Sequence, residues 1–189
     1  MKVRKTSIEG LLVIEMVRHG DARGWFREDY NRERYSEAGI TNVFVQDNHS
    51  FSAKKGTLRG LHYQADPMSQ AKLVHCTRGS VIDVAVDLRQ GSPTYLKYET
   101  ILLTEDNDLQ FYIPRGFAHG YLTLEDNTEF EYKVDNVYSP EHDRGIRYDD
   151  PDIGVDWGGL LKDITPVLSE KDINSPYLKD SDAAFVYGG

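Results

Sequence analysis

The chain is poor in cysteine, in positive charge and in long apolar runs, and each deficit removes a class of protein. Cys76 is the single cysteine among 189 residues. It has no internal disulfide partner and no Cys or His neighbours at zinc-finger spacing, so the chain reads as the product of a reducing compartment, the cytoplasm. Lys and Arg number 22 against 31 Asp and Glu, a formal net charge of -9. A nucleic-acid binder must neutralise dense phosphate charge with clustered cations, so non-specific nucleic-acid binding is not expected, and any anionic ligand must meet a local basic pocket. No apolar stretch approaches the roughly 18 residues of a membrane-spanning helix. The run Leu11-Leu12-Val13-Ile14 stops at Glu15, has no small-residue cleavage site behind it, and reads as a strand. A soluble chain with no membrane association is expected.

From residue 70 to 134 short apolar or alternating segments are broken by Gly, Pro, Asn and Asp, the pattern of consecutive antiparallel strands in a sandwich or barrel. The segments are Lys72 to Thr77, Val81 to Leu88, Leu96 to Leu103, Leu109 to Ile113, Gly120 to Leu124 and Glu129 to Val134. Within Val81 to Leu88 the even-numbered residues are apolar while Asp83 and Asp87 fall on the other face, so one face of that strand is expected to be core. Helices are expected at about Arg32 to Ala38, stopped by Gly39, and near Glu170 to Ile173. Beyond residue 139 the chain is rich in Asp, Gly and Pro and reads as a loop-rich extension packed on the sheet. The length favours one domain over residues 1–189, with a peripheral tail from about 179.

Chemistry concentrates around Arg59-Gly60-Leu61-His62-Tyr63-Gln64, followed by Lys72 and, far downstream, Tyr132. An imidazole, an ammonium and a phenol supply a base, a cation and an acid, which suits removal of a proton beside a carbonyl: base takes proton, cation holds the enolate oxygen, acid returns a proton. Each has a plainer role as an interior strand histidine, a solvated lysine or a strand-favouring aromatic. Pro114-Arg115-Gly116-Phe117-Ala118-His119-Gly120 has a Pro-x-Gly-x-x-His form similar to the second signature of the cupin superfamily, whose fold is a double-sheet jelly roll; a strand-entry turn with a satisfied core histidine is its plainer reading.

Taken together, these segments resemble the dTDP-4-dehydrorhamnose 3,5-epimerase family over about residues 5 to 178. The carriers are Asp21 to Glu28, Phe44 to Asn48, Arg59 to Gln64, Gln70 to Val74, Asp83 to Arg89, Ile113 to Gly120, Tyr132-Lys133, Tyr138 to His142, Trp157 and Leu168 to Asp172. The resemblance implies an all-β cupin-type jelly roll with short peripheral helices. It also implies an isomerase that needs no cofactor or metal, because proton exchange on both sides of one ketone involves no net redox change. His62 is then the general base, Tyr132 the acid on the opposite face, and Lys72 the group that stabilises charge on the C4 oxygen. Asp172 is the carboxylate that orients His62, with Asp83 a runner-up; Ser169-Glu170-Lys171-Asp172 also reads as a helix N-terminus. Arg23 and Arg59 pair with the diphosphate, and Phe26 and Tyr138 pack on the base or sugar. Glu28, Gln46, Asp47, Asn48, His119, Asp143 and Lys171 complete the ligand shell. The resemblance further implies a homodimer that exchanges the Arg23 to Glu28 segment.

Two departures stand out, His75 where a different polar or basic residue is common and Trp157-Gly158-Gly159 where a proline often follows the tryptophan. His75 opens a rival reading in which His62, His75 and His119 hold a metal. Against it, the His-x-His pair of metal cupins is here His62-Tyr63-Gln64. The other rivals are an epimerase of C3 or C5 only, one acting on another nucleotide 4-keto sugar, and a non-catalytic sugar-nucleotide binder.

Overall fold

The computed structural model describes residues 1–188; the last residue of the expected tail, Gly189, lies outside them. In chain order the described elements are β1 (Lys2–Lys5), β2 (Leu12–Glu15), β3 (Arg18–Asp21), β4 (Gly24–Arg27), α1 (Arg32–Glu37), β5 (Gln46–Ser52), β6 (Leu58–Gln64) and β7 (Lys72–Arg78). They continue with β8 (Ser80–Asp87), β9 (Tyr98–Thr104), β10 (Leu109–Ile113), β11 (Phe117–Thr123), β12 (Thr128–Val134), β13 (Asp143–Gly145) and α2 (Glu170–Ile173), with short 3-10 turns at Leu160–Lys162 and Leu178–Asp180.

A six-stranded sheet, β1-β2-β10-β7-β12-β5, faces a five-stranded sheet, β13-β6-β11-β8-β9, and β3 and β4 form a separate hairpin. The two sheets meet over Val13, Val74, Phe111 and Phe130 from the first and Val81, Ala85, Leu103 and Phe117 from the second. This is the all-β double-sheet jelly roll that the resemblance implies. The outer face of the six-stranded sheet is covered by α1 and its flanks, where Tyr35 and Ile40 pack on Ile14, Leu73 and Tyr112. The helix α1 begins at an Asn31 cap whose side chain accepts from Glu33 N and Arg34 N. It ends one residue earlier than expected, with Gly39 at φ +90 and the Gly39 and Ile40 amides returning to Ser36 O and Tyr35 O.

The outer face of the five-stranded sheet is covered by the C-terminal extension. Ile146, Ile153, Trp157 and Phe185 pack on Leu58, Leu61, Val84, Val86, Ala118 and Leu122. This corrects the expectation for β8, where both faces are buried: the even-numbered Val84 and Val86 lie under the extension, while Val81, Asp83 and Ala85 face the sandwich interior. The tail is pinned as well, through Gln90 N to Phe185 O at 2.8 Å and Tyr187 N to Gln90 O at 3.0 Å.

Candidate active site

The sandwich interior is apolar at one end and polar at the other, and side-chain alternation decides which residues meet there. On β7, Lys72 shares its inward face with Val74 and Cys76; on β12, Tyr132 shares it with Phe130. Because Tyr132 is opposite Val74, Lys72 is its diagonal neighbour, and Lys72 Nζ lies 6.0 Å from the Tyr132 ring centroid. From the facing sheet, His62 on β6 and His119 on β11 are cross-strand partners. These four line a cavity of about 430 Å³ together with Arg59, Ser50, Tyr121, Ser169, Lys171 and Asp172. A second cavity of about 170 Å³ shares His62, Lys72, Tyr132 and Lys171 with it and adds Gln46, Asn48, Tyr138 and Asp143. The two form one cleft.

His62 Nε2 lies 2.6 Å from Asp172 Oδ1, while Asp83 Oδ2 lies 2.8 Å from His119 Nε2. The choice between the two carboxylates, open in the sequence, is therefore decided by geometry in favour of Asp172 beside His62. Asp172 also keeps its second reading, since Ser169 caps α2 by accepting from Asp172 N at 3.1 Å. The Ser169 hydroxyl in turn donates to Asp172 Oδ2 at 2.6 Å. Burial raises the Asp172 pKa, but the hydrogen bonds from His62, Ser169 and the Gly60 amide outweigh it and hold the carboxyl below its usual range.

Burial pushes the Lys72 ammonium down to about 8, against the opposing pull of Asp83 and Asp143. Burial raises the Tyr132 phenol, partly offset by the Arg59 guanidinium, so it holds its proton at neutral pH. His119 is lowered by burial, against the opposing effect of Asp83. Arg59 gives one guanidinium N–H to Phe51 O at 3.1 Å, while its Nε is buried with no protein partner. Asp143 accepts from Tyr138 OH at 3.0 Å and pairs with Lys171. Gln46 accepts from Tyr138 N at 3.0 Å and donates to Asn48 at 2.8 Å, which orders the floor of the smaller cavity.

Four of the expected residues do not line this chain's cleft. Asp47 pairs with Lys133 at 2.8 Å and borders a different cavity beside His75. Arg23, Phe26 and Glu28 belong to or follow the β3–β4 hairpin, where Arg23 pairs with Asp21, Phe26 is 72% exposed and Glu28 pairs with Arg34. The three histidines of the metal reading are not assembled: His75 follows Leu73 onto the outer face of the six-stranded sheet, whereas His62 and His119 point into the sandwich. Sequence reasoning missed Ser50 and Tyr121, whose hydroxyls lie 2.7 Å apart in the cleft. Alternation along β11 from Phe117 through His119 would have placed Tyr121 inside.

An imidazole backed by a buried carboxylate on one sheet, facing a phenol and an ammonium on the other, suits proton exchange at a carbon next to a carbonyl. On this fold such chemistry is that of an isomerase. A sequence profile described as dTDP-4-dehydrorhamnose 3,5-epimerase matches residues 5–180. A relative of that name from Sinorhizobium fredii is 47% identical over 188 residues, spanning 99% of this chain and 94% of its own. The one from Escherichia coli is 48% identical over 176 residues, 91% of each chain. Among solved structures, dTDP-6-deoxy-D-glucose-3,5-epimerase from Legionella pneumophila in complex with dTDP-4-keto-L-rhamnose superposes with a TM-score of 0.92. It is 42% identical, with 100% of this chain and 99% of that one covered. The chain belongs to the dTDP-4-dehydrorhamnose 3,5-epimerase family.

Proposed function

We infer that the protein epimerises dTDP-4-keto-6-deoxy-D-glucose at C3 and C5, giving dTDP-4-keto-L-rhamnose. The observation that carries this reading is the placement of base and acid on opposite sheets, His62 on β6 and Tyr132 on β12, with both side chains on one cavity. Inversion needs a proton removed from one face of a carbon and returned to the other. His62, its ring held by Asp172, takes the proton; Lys72 stabilises the enolate oxygen at C4; Tyr132 delivers a proton from across the cleft. C3 and C5 flank the same ketone, so one enolate site serves both exchanges. Arg59, Lys171, Tyr138, Asp143, Gln46, Asn48 and His119 bind the nucleotide sugar in this reading.

The same reading takes the working unit to be a homodimer in the cytoplasm. The expected contacts of Arg23, Phe26 and Glu28 are absent from this chain's own cleft, and Trp25 and Phe26 are 57% and 72% exposed on their hairpin, which fits a site completed by a partner's hairpin. No helix among the described residues is long and apolar enough to cross a membrane. Sedimentation of the purified protein tests the dimer: a monomer at assay concentration rules it out.

The deciding experiment is incubation with dTDP-4-keto-6-deoxy-D-glucose in deuterated water, followed by NMR, with a rhamnose-forming reductase trapping product. Deuterium at C3 and C5 with L-rhamnose trapped is the expected result. Label at a single carbon assigns a mono-epimerase, and no exchange removes the substrate assignment.

A further inference from the structure

His119 of the cleft lining forms a second histidine–carboxylate pair with the buried Asp83, to which the proton-exchange scheme assigns no proton transfer. Asp83 is fully buried and His119 is 5% exposed; Asp83 Oδ2 accepts from His119 Nε2 at 2.8 Å, while Asp83 Oδ1 is buried with no protein hydrogen-bond partner. A buried carboxylate with an idle oxygen is costly unless a positive charge stands near it. Lys72 is 8% exposed, and its ammonium, which enters no hydrogen bond or ion pair among the described residues, has the matching problem.

Among the carboxylates near Lys72, Asp83 is the one with a fully buried, unengaged oxygen. Asp172, on α2, has Oδ1 taken by His62 and the Gly60 amide and Oδ2 taken by Ser169. Asp143, on β13, is only half-buried, and its Oδ2 accepts from Tyr138 and pairs with Lys171, whose own charge repels Lys72. His62 on β6 and Tyr132 on β12 carry no negative charge at neutral pH in the proposed scheme. Asp83 on β8 is the strongest attraction that Lys72 experiences.

We propose that Asp83 is a positioning residue for the proton exchange, fixing the His119 ring through one oxygen and serving through the other as the counter-charge that keeps the Lys72 ammonium protonated inside the cleft. The inference rests on the epimerase reading and deepens it. Its physical sense lies in the separation. Asp83 stabilises the ammonium through the field without forming a direct ion pair, because His119 ties it to the five-stranded sheet, and the N–H groups of Lys72 stay available for the substrate oxygen. A carboxylate bonded directly to Lys72 would compete with that oxygen for the same donors. The burial that lowers the Lys72 pKa to about 8 makes this counter-charge necessary, since without it the lysine would be largely neutral at working pH.

The test is Asp83→Asn in the full chain. The amide oxygen still accepts from His119 Nε2, so the ring is held while the charge is gone. Lysine 13Cε resonances are followed against pH, with Lys72 assigned by its absence in Lys72→Met. The Lys72 titration is expected to move down by roughly 1–3 pH units, the effect of losing a nearby opposite charge. The alkaline limb of kcat/KM should move with it, so that the loss relative to wild type grows from pH 6 to pH 8. A Lys72 titration unchanged within a few tenths of a unit overturns the proposal, as does a pH-independent loss of activity, which is what a merely structural Asp83 gives. Should Asp83→Asn not fold, Lys72→Met carries the test from the other side: the Asp83 carboxyl 13C signal must titrate at higher pH than in wild type, and an unchanged signal overturns the idea. Solvent exchange by the wild-type protein tests the epimerase reading separately, because the lysine titration needs no substrate.

Discussion

The imidazole of His62 meets the buried carboxylate of Asp172 at 2.6 Å through Nε2, and the carboxylate is itself held by Ser169 Oγ at 2.6 Å and the Gly60 amide at 3.3 Å. A carboxylate accepts and does not donate, so Nε2 carries the proton and Nδ1 is the ring nitrogen that the proposed base would use. His62→Asn should therefore lower turnover on the order of 10²–10⁴-fold while dTDP still binds, because general-base catalysis contributes about that much. Asp172→Asn keeps an acceptor but loses the charge that stabilises the imidazolium, and a loss on the order of 10² is expected. Steady-state kinetics beside dTDP calorimetry checks both. Unchanged turnover in His62→Asn would end its assignment as base.

Tyr132→Phe separates proton removal from proton return. The phenylalanine keeps the ring beside Lys72 and Phe130, so packing survives while the donor is lost. Solvent deuterium should still enter the sugar at C3 or C5, while the yield of trapped L-rhamnose falls by about 10²-fold or more. NMR of the recovered sugar reads both. Full double inversion at the wild-type rate would remove Tyr132 as the obligatory acid.

Much of the strand plan was legible because period-two alternation and turn residues are local signals. Leu109 to Ile113 and Glu170 to Ile173 were placed to the residue, and the other expected strands shifted at their ends by up to three residues. The faces of β8 were not legible. Asp83 and Asp87 look like solvent-side residues until the extension from residue 146 to 185 is known to cover the other face, and that packing is long-range. The site shows the same division. In isolation His62 reads as an ordinary strand histidine, and its role rested on resemblance. The choice between Asp172 and Asp83 depends on α2 docking against β6 across 110 positions, which spacing does not encode. Asp47 was placed in the ligand shell with its neighbours, although strand alternation turns it away from Gln46 and Asn48 toward Lys133.

Lys72 should mark the stability curve as well as the rate. Its folded pKa of about 8 lies below the 10.5 of a lysine in the unfolded chain, so between those limits the unfolded chain binds the extra proton and folding stability rises with pH. The difference of 2.5 pH units corresponds to about 3.5 kcal/mol at about 1.4 kcal/mol per pH unit, of which about 3 kcal/mol falls between pH 7 and pH 10.5. Measured against Lys72→Met, which lacks the titrating group, the wild type should gain about that amount between pH 7 and pH 10.5. Denaturant midpoints at several pH values check it. A difference that stays flat across this window would mean that Lys72 keeps its charge in the folded protein.

The closest backbone approach beside the site lies between Gly60 and Gly120. A Cβ on Gly60 would stand 2.5 Å from Gly120 Cα and 3.0 Å from His119 O, at a φ of +136 that L side chains rarely adopt. A Cβ on Gly120 would meet Arg59 O at 2.8 Å. The two glycines thus let β6 and β11 touch where their register slips between His119 and Tyr121, and that contact sets the positions of Arg59, His62 and His119. The clash is with backbone, which cannot move aside as a flexible side chain does. Gly60→Ala should cost on the order of 2–4 kcal/mol, with a fall in Tm of roughly 2–4 °C per kcal/mol for a chain of this size. Gly39→Ala is the control. Gly39 also has a positive φ, +90, but nothing lies within 4 Å of its Cβ position, so only about 1 kcal/mol of stability is lost there, through backbone strain alone. If the two variants melt together, positive φ alone explains the glycine at position 60 and strand contact does not; a Gly60→Ala protein that melts well below Gly39→Ala and also loses turnover ties the site's geometry to that contact.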